Sequence, residues 1–245
     1  MARELTLLSI GTTHPWNIAG VGLDQRLGAE LGARVFTVLA AVSAQDATGV
    51  RALDPVPLTT LQAQLAVIPW DEVDAIRVGA LPRPEVVWAV AGALGTHPVP
   101  AVIDPVLRSS SGGALVGEGV LEAIREDLFT LPHAVLTPNL AEAAALLGRE
   151  IDDDGLEEAA RQLRAGGARA ILLKGGHLAG NPVDVLAHAG GIDRFESERI
   201  AGTMRGTGCT LAMALAVALA RGEDLPAAAR YARGIVRKKI AEANP

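Results

Sequence analysis

The sequence predicts an α/β fold, a mostly parallel sheet with helices on both faces, built as one domain over residues 1–245. Three observations carry this. Short apolar runs alternate with helix-period segments from end to end, the pattern of strand–helix crossovers. No long polar linker and no internal repeat divides the 245 residues. Polar residues also recur just past the predicted strands, at the edge where open α/β sheets bind ligands.

The elements follow in order. Leu5–Ile10 reads as a buried strand, ending in a loop from Gly11 to Pro15. Ala19–Leu31 is helical and breaks at Gly32. Arg34–Val42 is a second strand, followed by Ser43-Ala44-Gln45-Asp46. Leu58–Ile68 has helical spacing, and Ala75–Val78 is a strand stopping at Gly79. Pro84–Leu94 is a helix opened by proline. Val99–Ile103 is a strand ending at Asp104-Pro105, with a Ser/Gly loop over Ser109–Gly113. Val120–Leu128 is helical, Ala134–Leu136 a short strand. Leu140–Leu147 is a helix capped by Asn139. Leu156–Ala165 is a helix after three aspartates that suit its N-terminus. Ala168–Leu173 is a strand ending at Lys174-Gly175-Gly176-His177. Val183–His188 and the stretch around Phe195 read as a meander. A helix behind Gly206-Thr207-Gly208 and an amphipathic helix over Leu225–Ala241 complete the chain.

Composition narrows the partners. With 49% apolar but only 3% aromatic residues, aliphatic side chains and alanine must fill the core. The single cysteine excludes an intramolecular disulfide framework and fits a reducing, cytoplasmic setting. No apolar run approaches the ~18 residues of a membrane span. The net charge of −6 and the lack of any basic cluster beyond Arg237-Lys238-Lys239 argue against nucleic acid. The sequence does not set the oligomeric state, a homodimer being one option.

The chemistry gathers at a few positions. Gly206-Thr207-Gly208-Cys209 leads straight into a helix, so free N–H groups and the helix dipole favour an anion there. A thiol at such a place is expected to ionise more readily, although a lone Cys is as often simply buried. Only Lys174, Lys238 and Lys239 are lysine among 22 basic residues. Lysine and arginine are not interchangeable, which singles out Lys174. Glu142 follows Asn139 by three and completes a capping pattern. It can equally reach a hydrated Mg²⁺, with Asp104 as a second carboxylate. The histidines show no metal-ligand spacing, and no Walker A sequence is present.

Taken in order, these motifs resemble the hydroxymethylpyrimidine and phosphomethylpyrimidine kinases of thiamin synthesis, in the ribokinase superfamily. The resemblance rests on Ala19-Gly20-x-x-x-Asp24, Ala44-Gln45-Asp46, Arg77-Val78-Gly79-Ala80-Leu81, Asp104-Pro105-Val106, Thr137-Pro138-Asn139-Leu140-x-Glu142, Lys174-Gly175-Gly176-His177 and Gly206-Thr207-Gly208-Cys209-Thr210. It implies a three-layer α/β/α fold and a kinase using ATP and Mg²⁺. It implies that Asp24 and Gln45 bind the aminopyrimidine, with Gly11, Gly20, Gly79 and Val106 lining its pocket. It further implies that Asn139, Glu142, Asp104, Lys174 and Thr207 hold Mg·ATP, with Asp104 and Glu142 toward the metal. Gly206, Thr207 and Gly208 would bind the transferring phosphoryl group, and Cys209 stands where sugar-kinase relatives carry an aspartate base.

Three departures bear on the acceptor. The family's Ser-Asp-Pro-Ser-Gly-Gly loop is here Thr13-His14-Pro15-Trp16-Asn17-Ile18. The segment before Gly206 is Thr203-Met204-Arg205, which brings a guanidinium to the anion hole. The loop after Asp104 reads Arg108-Ser109-Ser110-Ser111. The two added arginines favour a doubly anionic acceptor. The expectation is therefore phosphorylation of 4-amino-5-hydroxymethyl-2-methylpyrimidine phosphate, with the free alcohol a secondary acceptor. The alternatives are a pyridoxal-type kinase and a non-catalytic pyrimidine-binding protein.

Overall fold

The computed structural model describes residues 3–46, 49–108, 113, 115–152, 155–176 and 180–244. Nine strands form one sheet in the order β3-β2-β1-β4-β5-β6-β7-β8-β9. They are β1 (Leu5–Thr13), β2 (Ala33–Asp46), β3 (Gly49–Pro55), β4 (Ala75–Val78), β5 (Ala101–Ile103), β6 (Ala134–Leu136), β7 (Ala170–Gly175), β8 (Val183–His188) and β9 (Gly191–Glu196). The six strands from β2 through β1, β4, β5 and β6 to β7 run parallel. Antiparallel β3 closes one edge, and the β8–β9 meander closes the other.

The helices are α1 (Gly20–Glu30), α2 (Leu58–Ala66), α3 (Pro84–Thr96), α4 (Val120–Ala123), α5 (Leu140–Leu147), α6 (Leu156–Arg164), α7 (Thr207–Ala220) and α8 (Leu225–Ala243). Strand period sorts the core onto two faces. Leu8, Ile10, Ile76 and Val78 pack with α2, α3, α5 and α6 on one side. Leu7, Ala75, Val102 and Leu172 pack with α1, α7 and α8 on the other. Helix α7 is buried all round from Thr210 to Leu219, so its uniformly apolar sequence has no solvent face to serve. Each fully buried leucine there contributes roughly 1.5–3 kcal/mol.

The elements differ from expectation in instructive places. β1 runs on to Thr13, so the loop begins at His14 rather than Gly11. β2 continues through Gln45 to Asp46 because it pairs with β3, a strand the hydrophobic pattern missed. Most of β3 is exposed or half-buried, which is why it lacks an apolar run. The expected helix over Val120–Leu128 is α4 followed by a π-helical turn, Ile124–Leu128. Ser109–Ser111 and His177 lie outside the described residues.

The topology positions the site. β1 has β2 on one side and β4 on the other, so successive crossovers leave β1 in opposite directions. The crevice at the carboxyl ends of β1 and β4 is thus the topological switch point, where such sheets bind ligands. Ladder hydrogen bonds continue past the strands, from Gly79 N–H to Ile10, Asp104 N–H to Val78 and Thr137 N–H to Ile103. They hold the loop residues in line at this edge.

Candidate active site

The centre of the site is a buried chain of charges. Lys174 Nζ lies 2.7 Å from Asp104 Oδ1 and 3.9 Å from Glu142 Oε2. Thr137 Oγ1 donates to Asp104 Oδ1 at 3.3 Å. Arg77 reaches Asp104 Oδ2 with Nη2 at 3.3 Å and Asp24 Oδ2 with Nη1 at 3.2 Å. Ser9 Oγ donates to that Asp24 oxygen at 2.6 Å. Asp24, Arg77 and Asp104 are each at most 2% exposed. A buried charge without a partner costs several kcal/mol, so these groups must neutralise one another.

The N-terminus of α7 meets this chain. Gly206 caps the helix in the left-handed conformation, φ +76°. A side chain there would collide with Ile18 O at 2.3 Å, so only glycine brings the loop this close. A Cβ on Gly208 would sit 3.3 Å from Lys174 Nζ and 3.4 Å from Asp104 Oδ2. The first turn of α7, the ammonium and the carboxylate thus face one small space. Helix dipole and ammonium favour an anion there, while Asp104 favours a cation beside it. The donor set suits magnesium bound to phosphates, which takes one or two carboxylates and fills the rest with water and phosphate oxygens.

Glu142 has the capping role foreseen for it. Its N–H donates to Asn139 Oδ1 at 2.9 Å, while its own Oε2 accepts from Asn139 N–H at 2.8 Å, a complete capping box. Burial pushes its carboxyl up to about 7, with Lys174 opposing and Asp104 reinforcing the rise. Burial also pushes Asp104 upward, but Lys174 and Arg77 outweigh it and hold the carboxyl below its ordinary value. Lys174 is destabilised as a cation by burial, yet Asp104 and Glu142 raise it above the ordinary lysine value.

At the other end of this chain of charges, Asp24 on α1 is buried, as is Gln45 on β2. Asp24 Oδ1 has no hydrogen-bond partner among the described residues. Gly11 and Gly79 lie at the ends of adjacent β1 and β4. A Cβ on Gly11 would be 3.7 Å from Gly79 Cα. Gly20 N–H points to Cys209 Sγ at 3.5 Å, and Val106 is half-buried beside Asp104.

One expectation needs correction. The Cys209 thiol is not made more acidic by its helix N-terminus. Burial pushes it up, with Arg77 opposing and Asp24 and Asp104 adding to the rise. Arg205, the residue before Gly206, donates to the carbonyl of Asp46 at the end of β2. Arg108 is exposed. The structure also adds residues that the sequence reading did not assign to the site: Ser9, Thr137 and above all Arg77. The signal for Arg77 was available, since an arginine inside the fully buried strand Ala75–Val78 requires buried partners.

Comparison with known proteins shows the family of the chain. The family model described as phosphomethylpyrimidine kinase matches residues 17–245. The hydroxymethylpyrimidine/phosphomethylpyrimidine kinase of Streptomyces coelicolor is 39% identical over 243 residues, 98% of this chain and 90% of that protein. The crystal structure of phosphomethylpyrimidine kinase from Clostridium difficile superposes with a TM-score of 0.82 at 25% identity, covering 99% and 100% of the two chains. An ADP complex of Bacillus subtilis pyridoxal kinase gives 0.85 at 30% identity over 95% and 90%. The match runs almost the whole length of the chain and takes in every charged group of the site, and the chain accordingly belongs to the phosphomethylpyrimidine kinase family.

Proposed function

We propose that the protein transfers the γ-phosphoryl group of Mg·ATP to the phosphate of 4-amino-5-hydroxymethyl-2-methylpyrimidine phosphate, giving the diphosphate. The observation that carries this is the convergence of Lys174, Asp104 and the α7 N-terminus on one space, with the unpaired Asp24 Oδ1 nearby. An acceptor phosphate oxygen attacks the γ-phosphorus, the bond to the β,γ-bridging oxygen breaks, and ADP leaves. Near pH 7 a phosphate monoester is largely ionised. It needs positioning and charge neutralisation more than a base.

In this reading Asp24 Oδ1 accepts from the pyrimidine amino group, and Gln45 completes its recognition. Gly11, Gly20, Gly79 and Val106 shape the pocket. Lys174 and the amides of Gly206, Thr207 and Gly208 offset charge on the transferring group, and Asn139 anchors the nucleotide side. Asp104 and Glu142 would hold the magnesium, whose chemistry is to neutralise phosphate charge. Arg205, beside the end of β2, meets the acceptor's phosphate. Cys209 stays a thiol at neutral pH and shapes the anion hole.

The likeness to a pyridoxal kinase supports a second reading, with a pyridine alcohol as acceptor. The test is ADP release with the pyrimidine alcohol, its monophosphate and pyridoxal in turn. The proposal requires kcat/KM to be highest for the monophosphate.

A further inference from the structure

We propose that Arg77 is a positioning residue that ties the acceptor subsite to the phosphoryl-transfer subsite, one guanidinium arm holding Asp24 and the other Asp104. The inference rests on the roles given to those two aspartates above. Three elements meet at this guanidinium: α1 supplies Asp24, β4 supplies Arg77, and the loop after β5 supplies Asp104. Arg77 is 1% exposed, and its Nε has no hydrogen-bond partner among the described residues. The two terminal arms thus carry the ion pairs, one to each carboxylate, with the Cys209 side chain also in reach of the guanidinium.

The oxygens are divided in a telling way. Asp24 Oδ2 is taken by Arg77 and Ser9, which leaves Oδ1 for a ligand. Asp104 Oδ2 is taken by Arg77, while Oδ1 faces Lys174 and Thr137. The guanidinium thus fixes which edge of each carboxylate is presented. It is itself wedged in place, because a Cβ on Gly79 would sit 2.2 Å from Nη1. A lysine at 77 would bring the charge as a single point on a flexible stem, without the planar fork whose two arms each face one carboxylate.

The experiment compares Arg77→Lys, Asp24→Asn and Asp104→Asn with wild type. The acceptor KM is measured at saturating Mg·ATP, and the Mg²⁺ half-saturation at saturating acceptor. Asp24→Asn should raise the first and Asp104→Asn the second. Arg77→Lys should raise both about tenfold, the low end for losing a partner that orients ligands, with kcat falling less. A merely structural Arg77 would lower Tm and kcat and leave both constants unchanged, which overturns the proposal. So does a change in only one constant. If Arg77→Lys does not fold, Gly79→Ala serves instead, since it presses on Nη1 without altering charge; because Gly79 also shapes the acceptor pocket, the Mg²⁺ half-saturation is the deciding readout there, and an unmoved value overturns the proposal. If the two aspartate variants leave their own constants unmoved, the site assignment fails first, and the link falls with it.

Discussion

Replacing Glu142 by glutamine should make the ligand-free protein more stable and a poorer enzyme. Glu142 is 6% exposed, and burial raises its carboxyl from about 4.5 to about 7 despite Lys174 at 3.9 Å. A carboxyl raised on folding binds its proton more tightly in the folded state. The associated penalty is absent below the unfolded value, grows as pH climbs toward 7, and is complete above it. At about 1.4 kcal/mol per unit this amounts to about 3 kcal/mol at pH 8. Glutamine removes the charge and keeps the cap, since its carbonyl accepts from Asn139 N–H as the carboxylate does. Glu142→Gln should thus exceed wild type by on the order of 3 kcal/mol at pH 8 and by less than about 1 kcal/mol at pH 5. For a chain of this length that is a rise in Tm of about 6–12 °C at pH 8. Urea titration and thermal melts at the two pH values measure it. The same variant should need more Mg²⁺, the usual cost of relieving a strained site. A variant no more stable at pH 8, or one whose advantage does not depend on pH, would refute the reasoning.

Other expectations follow from the same geometry. Lys174→Ala should lower kcat on the order of 10²-fold, more than it raises KM for ATP; a normal kcat would reduce Lys174 to a structural partner of Asp104. Because burial raises the Cys209 thiol, Cys209→Ala should cost the monophosphate reaction no more than about tenfold. Any phosphorylation of the free alcohol by wild type should climb with pH as the thiol ionises, a rise that Cys209→Ala should abolish; an unchanged profile would assign the residue to packing alone. Trp16 is 56% exposed in the loop after β1. Its fluorescence should change when acceptor binds without nucleotide, and the change should vanish in Trp16→Phe; a signal that persists would place the loop away from the pocket.

Much of the architecture was readable because the core strands are short, apolar and regularly spaced. The exceptions share a cause. β3 has no buried residue and is held by pairing with the far half of β2, so periodicity does not mark it. The site was legible where function sits at strand ends, as with Asp104, Asn139 and Lys174. It was less legible where a role depends on distance across the fold. Nothing local says that Arg77 spans Asp24 and Asp104, 53 and 27 residues away in sequence. The direction of the Cys209 shift was misread for a related reason. A helix N-terminus can be seen in sequence, but the burial and the two aspartates that outweigh it are tertiary facts.

The most direct test of the account is kcat/KM for the purified protein with three acceptors, 4-amino-5-hydroxymethyl-2-methylpyrimidine phosphate, its free alcohol and pyridoxal, read by coupled ADP release at pH 7.5. The account predicts that the monophosphate leads by at least about tenfold, as expected of a site that meets a second phosphate with a charge-assisted contact worth about 1.5–3 kcal/mol. Arg205→Ala should erase that lead and leave the alcohol unaffected. Pyridoxal as the best acceptor, or a monophosphate preference that survives Arg205→Ala, would contradict it.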